Sequence, residues 1–168
     1  LDNAVLSSIS AKDNLSTIQL VGGNEIMGDN VGIRVGDCKI IGKGSGAKLE
    51  VNGKMVGIYA GNLSIDNCAL DVSSEGGPVD CYGIYAKILA IDEATVTSYG
   101  KISPSVRCEE LRFLTNGYGI SSPKSAYFDR NSKTIKDMDG NTMVKPVVLG
   151  PVTTYKIWVA GVPVTYAN

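Results

Sequence analysis

One short phrase recurs along this chain at a near-constant interval: Gly32-Ile33-Arg34-Val35, then Gly57-Ile58-Tyr59-Ala60, then Gly83-Ile84-Tyr85-Ala86. A second phrase follows each copy at a fixed lag, as Cys38-Lys39-Ile40, Leu63-Ser64-Ile65 and Leu89-Ala90-Ile91. A repeat of about 25 residues constrains the architecture strongly, because one unit cannot bury its own apolar face and must stack on copies of itself.

The local pattern has period 2. In Leu63-Ser64-Ile65-Asp66, Cys68-Ala69-Leu70-Asp71-Val72, Leu89-Ala90-Ile91-Asp92 and Ala94-Thr95-Val96-Thr97, small or apolar residues alternate with mostly polar ones. That is the signature of strands with one buried face. Turn chemistry ends each run, at Gly61-Asn62, Asp66-Asn67, Gly76-Gly77-Pro78 and Tyr99-Gly100, and no amphipathic helix is evident. Three short strands per repeat predict an all-β parallel β-helix, a single-stranded solenoid whose coils stack into three long sheets. The rule for parallel crossovers makes it right-handed.

A leucine-rich repeat has a similar period but needs a different leucine pattern and a partly helical return. An antiparallel sandwich would not require phrases to recur in register. The coil lag runs 25, 26 and then about 22 residues, the last placing Val106-Arg107-Cys108 under Ile84-Tyr85-Ala86 and Leu111-Arg112-Phe113 under Leu89-Ala90-Ile91. Length variation of that size is assigned to loops at 43–47, 73–82 and 100–105.

Beyond about Thr115 the repeat dissolves, and the unpaired strand edges at the end of the solenoid need a cover. Thr134–Asp137 and Thr142–Val144 flank Asp139-Gly140, a hairpin-turn signal. Residues 1–150 therefore read as the β-helix, with a capping hairpin near 134–149. Residues 151–168 read as a C-terminal strand segment.

Composition narrows the chemistry. The 168 residues are 43% hydrophobic and 20% charged, with a formal net charge of −1, so no basic field is available for a nucleic-acid backbone. No stretch approaches the roughly 20 apolar residues of a membrane-spanning helix. The chain has no His, which removes the usual Ser-His-Asp arrangement and the His-containing zinc sets, and it has no CxxC pair. Three of its four Cys replace small or apolar inward residues, with Cys38 in the column of Leu63, Leu89 and Leu111, Cys68 in that of Ala94 and Cys108 after Ala86, and no two share a column in adjacent coils. They read as free buried thiols.

Function has to come from the outward columns. Arg34, Tyr59, Tyr85 and Arg107 occupy one position in four successive coils and predict an exterior ladder with rungs about 4.8 Å apart. Such a ladder either stabilises the sheet by stacking, or serves as a sugar platform in which ring faces receive pyranoses and Arg donates to carboxylates or hydroxyls. An acidic set stands beside it: Glu50 with Asp71 in one column, Asp66 with Asp92 in another, and Glu93 adjacent. Asp66, Asp92 and Glu93 are the candidate ligands for a hard cation such as calcium, with Lys39 and Arg112 in the outward column between the sets. Solvated surface and turn chemistry account for the same acids. Asp137-Met138-Asp139-Gly140-Asn141 has the look of a calcium loop but lacks the required Gly and Glu spacing.

The succession Leu1-Asp2-Asn3-Ala4, Asn14-Leu15-Ser16-Thr17-Ile18-Gln19-Leu20, the Gly-Ile-Tyr-Ala coils, Gly119-Ile120-Ser121-Ser122-Pro123 and Asp137–Asn141 resembles bacterial cell-surface β-helix domains of the carbohydrate-binding or pectate-lyase-like kind. Tyr155-Lys156-Ile157-Trp158-Val159-Ala160-Gly161-Val162-Pro163-Val164-Thr165 resembles a segment that usually precedes such a unit. This implies that residues 151–168 begin the following unit of a tandem array. The resemblance also implies an extracellular or cell-surface location, although the chain carries no signal peptide.

Three functions stay open. The first is a non-catalytic module for adhesion or for binding a polysaccharide or cell-surface glycan. The second is a calcium-assisted lyase acting on acidic glycans, and the third a purely structural stalk. The C-terminal strand is also a candidate for self-association.

Overall fold

The recurring phrases stack directly on one another. The computed structural model describes residues 1–11, 16–76, 81–152, 154–159 and 162–167, with side chains as far as residue 152. Asn14 and Leu15 of the resemblance, Gly77-Pro78 of the anticipated turn and Ala160-Gly161 of the terminal segment lie outside the described residues.

The first turns are built from β1 (Val5–Leu6), β2 (Ile9–Ala11), β3 (Ser16–Leu20), β4 (Gly23–Gly28), β5 (Val31–Val35), β6 (Cys38–Gly42) and β7 (Lys48–Gly53). Next come β8 (Val56–Asp66), β9 (Ala69–Ser74), β10 (Tyr82–Asp92), β11 (Thr95–Gly100) and β12 (Val106–Phe113). All these strands pair in parallel, as a solenoid of about four turns. β1, β4, β7, β9 and β11 form one face. The other two faces run together, because β8, β10 and β12 each cover both: β5 pairs with the first half of β8 and carries β2 on its other edge, and β6 pairs with the second half and carries β3. The three predicted faces are thus present, two of them as one bent sheet.

The interior consists of columns refilled coil by coil. Ile9, Ile33, Ile58, Ile84 and Val106 form one; Cys38, Leu63, Leu89 and Leu111 a second; Leu49, Leu70, Val96 and Leu149 a third. Ile33, Ile58, Ile84, Leu89, Leu49 and Leu70 are fully buried. All four cysteines are buried and outside any disulfide, with Cys38, Cys68 and Cys108 in the inward places expected of them.

The invariant Gly of the repeated phrase has a steric cause. A Cβ on Gly32 would lie 2.8 Å from the Gly57 carbonyl oxygen, one on Gly57 2.7 Å from that of Gly83, and one on Gly83 2.6 Å from that of Ser105. Each would also strike the wall of the first face, at Val51, Val72 and Ser98 respectively. Gly28 and Gly53 begin the same corner and face the Val31 and Val56 carbonyls just as closely, so Gly28-x-x-x-Gly32 and Gly53-x-x-x-Gly57 are the tight corners of the coil.

The cap is more elaborate than the single hairpin expected. β13 (Tyr118–Ser122), β14 (Tyr127–Asp129), β15 (Thr134–Lys136) and β16 (Val147–Pro151) reverse the chain. β16 pairs antiparallel to β11 and carries β13 on its other edge, closing the first face. β15 meets β12 at Arg107↔Thr134 and carries β14, closing the second. The turn anticipated at Asp139-Gly140 is present, but only one bridge, Lys136↔Thr142, spans it. There the Asp137 carboxylate accepts the Asn141 backbone N–H at 2.8 Å, which is turn chemistry. Buried hydroxyls fasten the cap to the last coil: Ser98 Oγ donates to the Ser105 carbonyl and Ser105 Oγ to the Lys145 carbonyl, both at 2.6 Å. Residues past the cap form an antiparallel hairpin of β17 (Thr154–Val159) and β18 (Val162–Ala167).

Two predictions follow from this packing. Gly57→Ala is expected to cost about 1 to 3 kcal/mol in chemical denaturation, because backbone rather than a flexible side chain must yield. Gly23→Ala, where a Cβ meets nothing within 4 Å, is expected to be neutral or stabilising by about 0.5 kcal/mol. The thiols supply a pH test. Burial pushes Cys38 and Cys68 up to about 11 and Cys108 up to about 12. A raised folded value means that their contribution is complete below the unfolded thiol pKa of about 8.5 and is lost as pH rises from there through 11 to 12. Stability should therefore fall across that alkaline window, and a thiol reagent at pH 8 should leave the native chain unlabelled.

Candidate functional site

The outward ladder forms as the repeat requires. Pairing aligns Ser10, Arg34, Tyr59, Tyr85, Arg107 and Thr134 in one column that runs from the first coil to the cap. Each rung stands two residues after a corner position of its coil, so the glycine register that sets the core also sets the ladder. Tyr59 and Tyr85 stack with ring centroids 4.9 Å apart and planes 4° from parallel. The Arg34 guanidinium carbon lies 5.4 Å from the Tyr59 centroid, and that of Arg107 lies 6.0 Å from the Tyr85 centroid. Two cations therefore bracket two rings across four rungs, three steps that span roughly 14 Å.

This geometry alters the platform expected from sequence. The facing surfaces of Tyr59 and Tyr85 cover each other, and their outer faces carry the guanidiniums. A pyranose laid flat on an open ring face is not what the column offers. What it presents outward is phenol edges and hydroxyls together with guanidinium N–H groups.

Tyr82 is a member of the site that sequence reasoning missed. It is 6% exposed and pairs in register with Val56, yet its ring lies 5.4 Å from that of Tyr85, and its hydroxyl accepts a 2.7 Å hydrogen bond from Arg107 Nη1. Arg107 also sits 5.6 Å from the Tyr82 centroid, so this guanidinium is held by two rings and a hydroxyl. An aromatic residue replacing the valine of the coils above, three residues before Tyr85, was the available signal. Val56, Tyr59, Tyr82, Tyr85 and Arg107 wall a depression of about 350 Å³.

Neither arginine of the ladder meets a carboxylate within ion-pair distance among the described residues. What they meet instead are the ring faces of Tyr59, Tyr82 and Tyr85 and, for Arg107, the Tyr82 hydroxyl.

The acidic set is arranged differently. Asp66 and Asp92 share a column as expected, but Asp66 pairs with Lys39 at 3.1 Å, and Asp92 accepts a hydrogen bond from the Thr115 hydroxyl. Glu93 is an exposed turn residue with φ +45°, and its backbone N–H donates to the same hydroxyl. Glu50 and Asp71 both face Lys48, at 3.9 and 2.9 Å, while Arg112 pairs with Glu110 at 2.7 Å. A hard cation needs six to eight oxygen ligands. Among the described residues no group of three or more His, Cys, Asp or Glu converges to hold a metal, and Asp66, Asp92 and Glu93 do not make such a cage. Nor do Lys39 and Arg112 stand free as proton acceptors, since each is engaged by a carboxylate.

Tyr85→Ala is expected to lower unfolding stability by about 1 to 2 kcal/mol through loss of the ring stack and the Arg107 contact, whereas Tyr85→Phe should keep both. Equal losses in the two variants by chemical denaturation would show that the hydroxyl rather than the stack carries the effect.

Comparison with family models, with curated proteins and with solved structures finds no match for this chain.

Proposed function

We propose that this chain is a non-catalytic extracellular or cell-surface module that binds a polysaccharide along the Arg34-Tyr59-Tyr85-Arg107 column. The observation that supports this reading is the pair of guanidiniums, without carboxylate partners among the described residues, that flank the stacked Tyr59 and Tyr85 in one outward column. Rungs about 4.8 Å apart nearly match the length of a sugar residue, so an extended glycan laid along the column meets a donor or hydroxyl at each step. Arg34 and Arg107 bond to carboxylates or hydroxyls near its ends, and the Tyr59 and Tyr85 hydroxyls serve the residues between. The depression beside Tyr82 admits a substituent. Binding of this kind is shallow and depends on several rungs at once.

The competing reading is a stalk, in which the ladder only stiffens the sheet. The mutual coverage of the tyrosine faces favours it. Binding of the 168-residue chain to a panel of acidic and neutral polysaccharides separates the two. Selective binding is expected, weakened at least about tenfold by Arg34→Ala with Arg107→Ala, a loss of about 1.4 kcal/mol. It should weaken with added salt and be unchanged by a calcium chelator. Silence across the panel, or an affinity indifferent to both arginines, would leave the stalk.

A further inference from the structure

The dipeptide Asn-Gly occurs twice in this chain, at Asn52-Gly53 and Asn116-Gly117, and the fold treats the two copies oppositely. In such a pair the glycine nitrogen can attack the asparagine side-chain amide, because no Cβ on the glycine hinders the approach. Ring closure also requires that the backbone be able to turn and that the nitrogen be free of a hydrogen bond. Asn52-Gly53 closes β7, where both residues are held in register between β4 and β9. The Asn52 side-chain oxygen accepts the Ser73 hydroxyl, and a Cβ on Gly53 would overlap the Val56 carbonyl, so this copy has neither slack nor room.

Asn116-Gly117 stands in the short link, residues 114–117, between β12 and β13. Its neighbours are pinned to the preceding coil: the Leu114 N–H donates to the Ile91 carbonyl at 2.9 Å, and the Thr115 hydroxyl donates to Asp92 and accepts the Glu93 N–H. On the other side, the Gly117 carbonyl accepts the Val152 N–H at 2.8 Å and clasps the start of β13 to the end of β16. Between these anchors Asn116 and Gly117 are exposed, Gly117 has φ +77°, and a Cβ built on it would meet nothing within 4 Å. Neither the Asn116 amide nor the Gly117 N–H has a hydrogen-bond partner among the described residues.

We propose that Asn116 is a self-modifying site, which deamidates in the folded protein and whose isoaspartate product unclasps the cap. The Gly117 nitrogen bonds to Cγ of Asn116, the Cγ–Nδ2 bond breaks, and the side-chain nitrogen leaves as ammonia with the Gly117 proton. Water then opens the five-membered imide at one of its two carbonyls, its hydroxyl joining that carbon and its hydrogen returning to the Gly117 nitrogen. Opening at the main-chain carbonyl leaves the peptide bond running through Cγ, an isoaspartate whose backbone is one carbon longer. Nothing but water is consumed. Three hydrogen bonds hold the Leu114 and Thr115 side of the link, whereas the Gly117 carbonyl is held by the Val152 N–H alone, so the longer link displaces that carbonyl and the clasp is what yields.

The test uses the full chain, aged at mildly alkaline pH without denaturant and then mapped by peptide mass spectrometry. The peptide holding Asn116 should lose ammonia and gain water, with isoaspartate as the larger product, while Asn52 stays intact. Hydrogen exchange of β13 and β16 should quicken in the aged chain while β8 and β10 keep their protection. Its Tm should fall by roughly 2 to 4 °C, the shift expected from losing about one hydrogen bond in a chain of this size. Asn116→Gln, whose longer side chain closes a ring far more slowly, should keep its ammonia and its Tm over the same period. Asn116→Asp supplies the new charge without the longer backbone and should also keep its Tm. A fall in that variant as large as in the aged chain would overturn the role given to main-chain length. The proposal is overturned as well if Asn52 and Asn116 react at equal rates, if Asn116 reacts only in denaturant, or if the isoaspartyl chain keeps both its exchange pattern and its Tm.

Discussion

Coil-to-coil distance at the corner between the first and second faces governs the rest of this molecule. Parallel strands hydrogen-bond only near 4.8 Å, and a chain that turns back over itself holds that spacing only if the corner does not force the coils apart. Gly32, Gly57 and Gly83 each sit where a Cβ would meet the carbonyl of the next coil on one side and the wall of the first face on the other. Removing a single carbon atom at that position lets Ile33, Ile58 and Ile84 stack as a continuous buried column. A slip of one residue would turn every inward side chain out, so the corner fixes register as well as distance.

The exterior ladder is a corollary of the same constraint. Tyr59 and Tyr85 follow their glycines by two residues, and their 4.9 Å ring separation is the strand spacing carried to the surface. Stacking therefore adds to a geometry already imposed by the core. The Arg positions at either end terminate a stack that would otherwise leave a ring face open, and Arg107 is further restrained by the Tyr82 hydroxyl.

Columns were readable in the sequence because they repeat. The alignment of Arg34, Tyr59, Tyr85 and Arg107, of Cys38 with Leu63 and Leu89, and of Asp66 with Asp92 required only two phrases and their lag. Features that occur once were harder to read. Tyr82 breaks its own column, and whether a lone aromatic there points to core or to site depends on where Arg107 ends up one coil later. The cap escaped for a related reason: its strands run antiparallel and join edges far apart in sequence, as in the pairing of β16 with both β11 and β13. Asp139-Gly140 correctly marked a reversal but says nothing about which edge it serves. The occupied ring faces were also hidden, because a column predicts which residues are adjacent and not how their planes tilt.

The other outward columns sharpen the case for the ladder. Lys39, Lys48, Arg112 and Lys133 each face a carboxylate on a neighbouring or nearby rung, and such exposed pairs contribute little stability while cancelling the local field. Other exposed lysines, among them Lys43, Lys87 and Lys101, stand outside such pairs but singly, with no aromatic column to hold them. Arg34 and Arg107 differ because their partners are aromatic: a ring quadrupole orients a guanidinium without neutralising it, and the N–H donors at its edge stay available. The same inward constraint that makes the solenoid regular thus leaves, on one column, cations that are positioned by rings and have no carboxylate partner among the described residues.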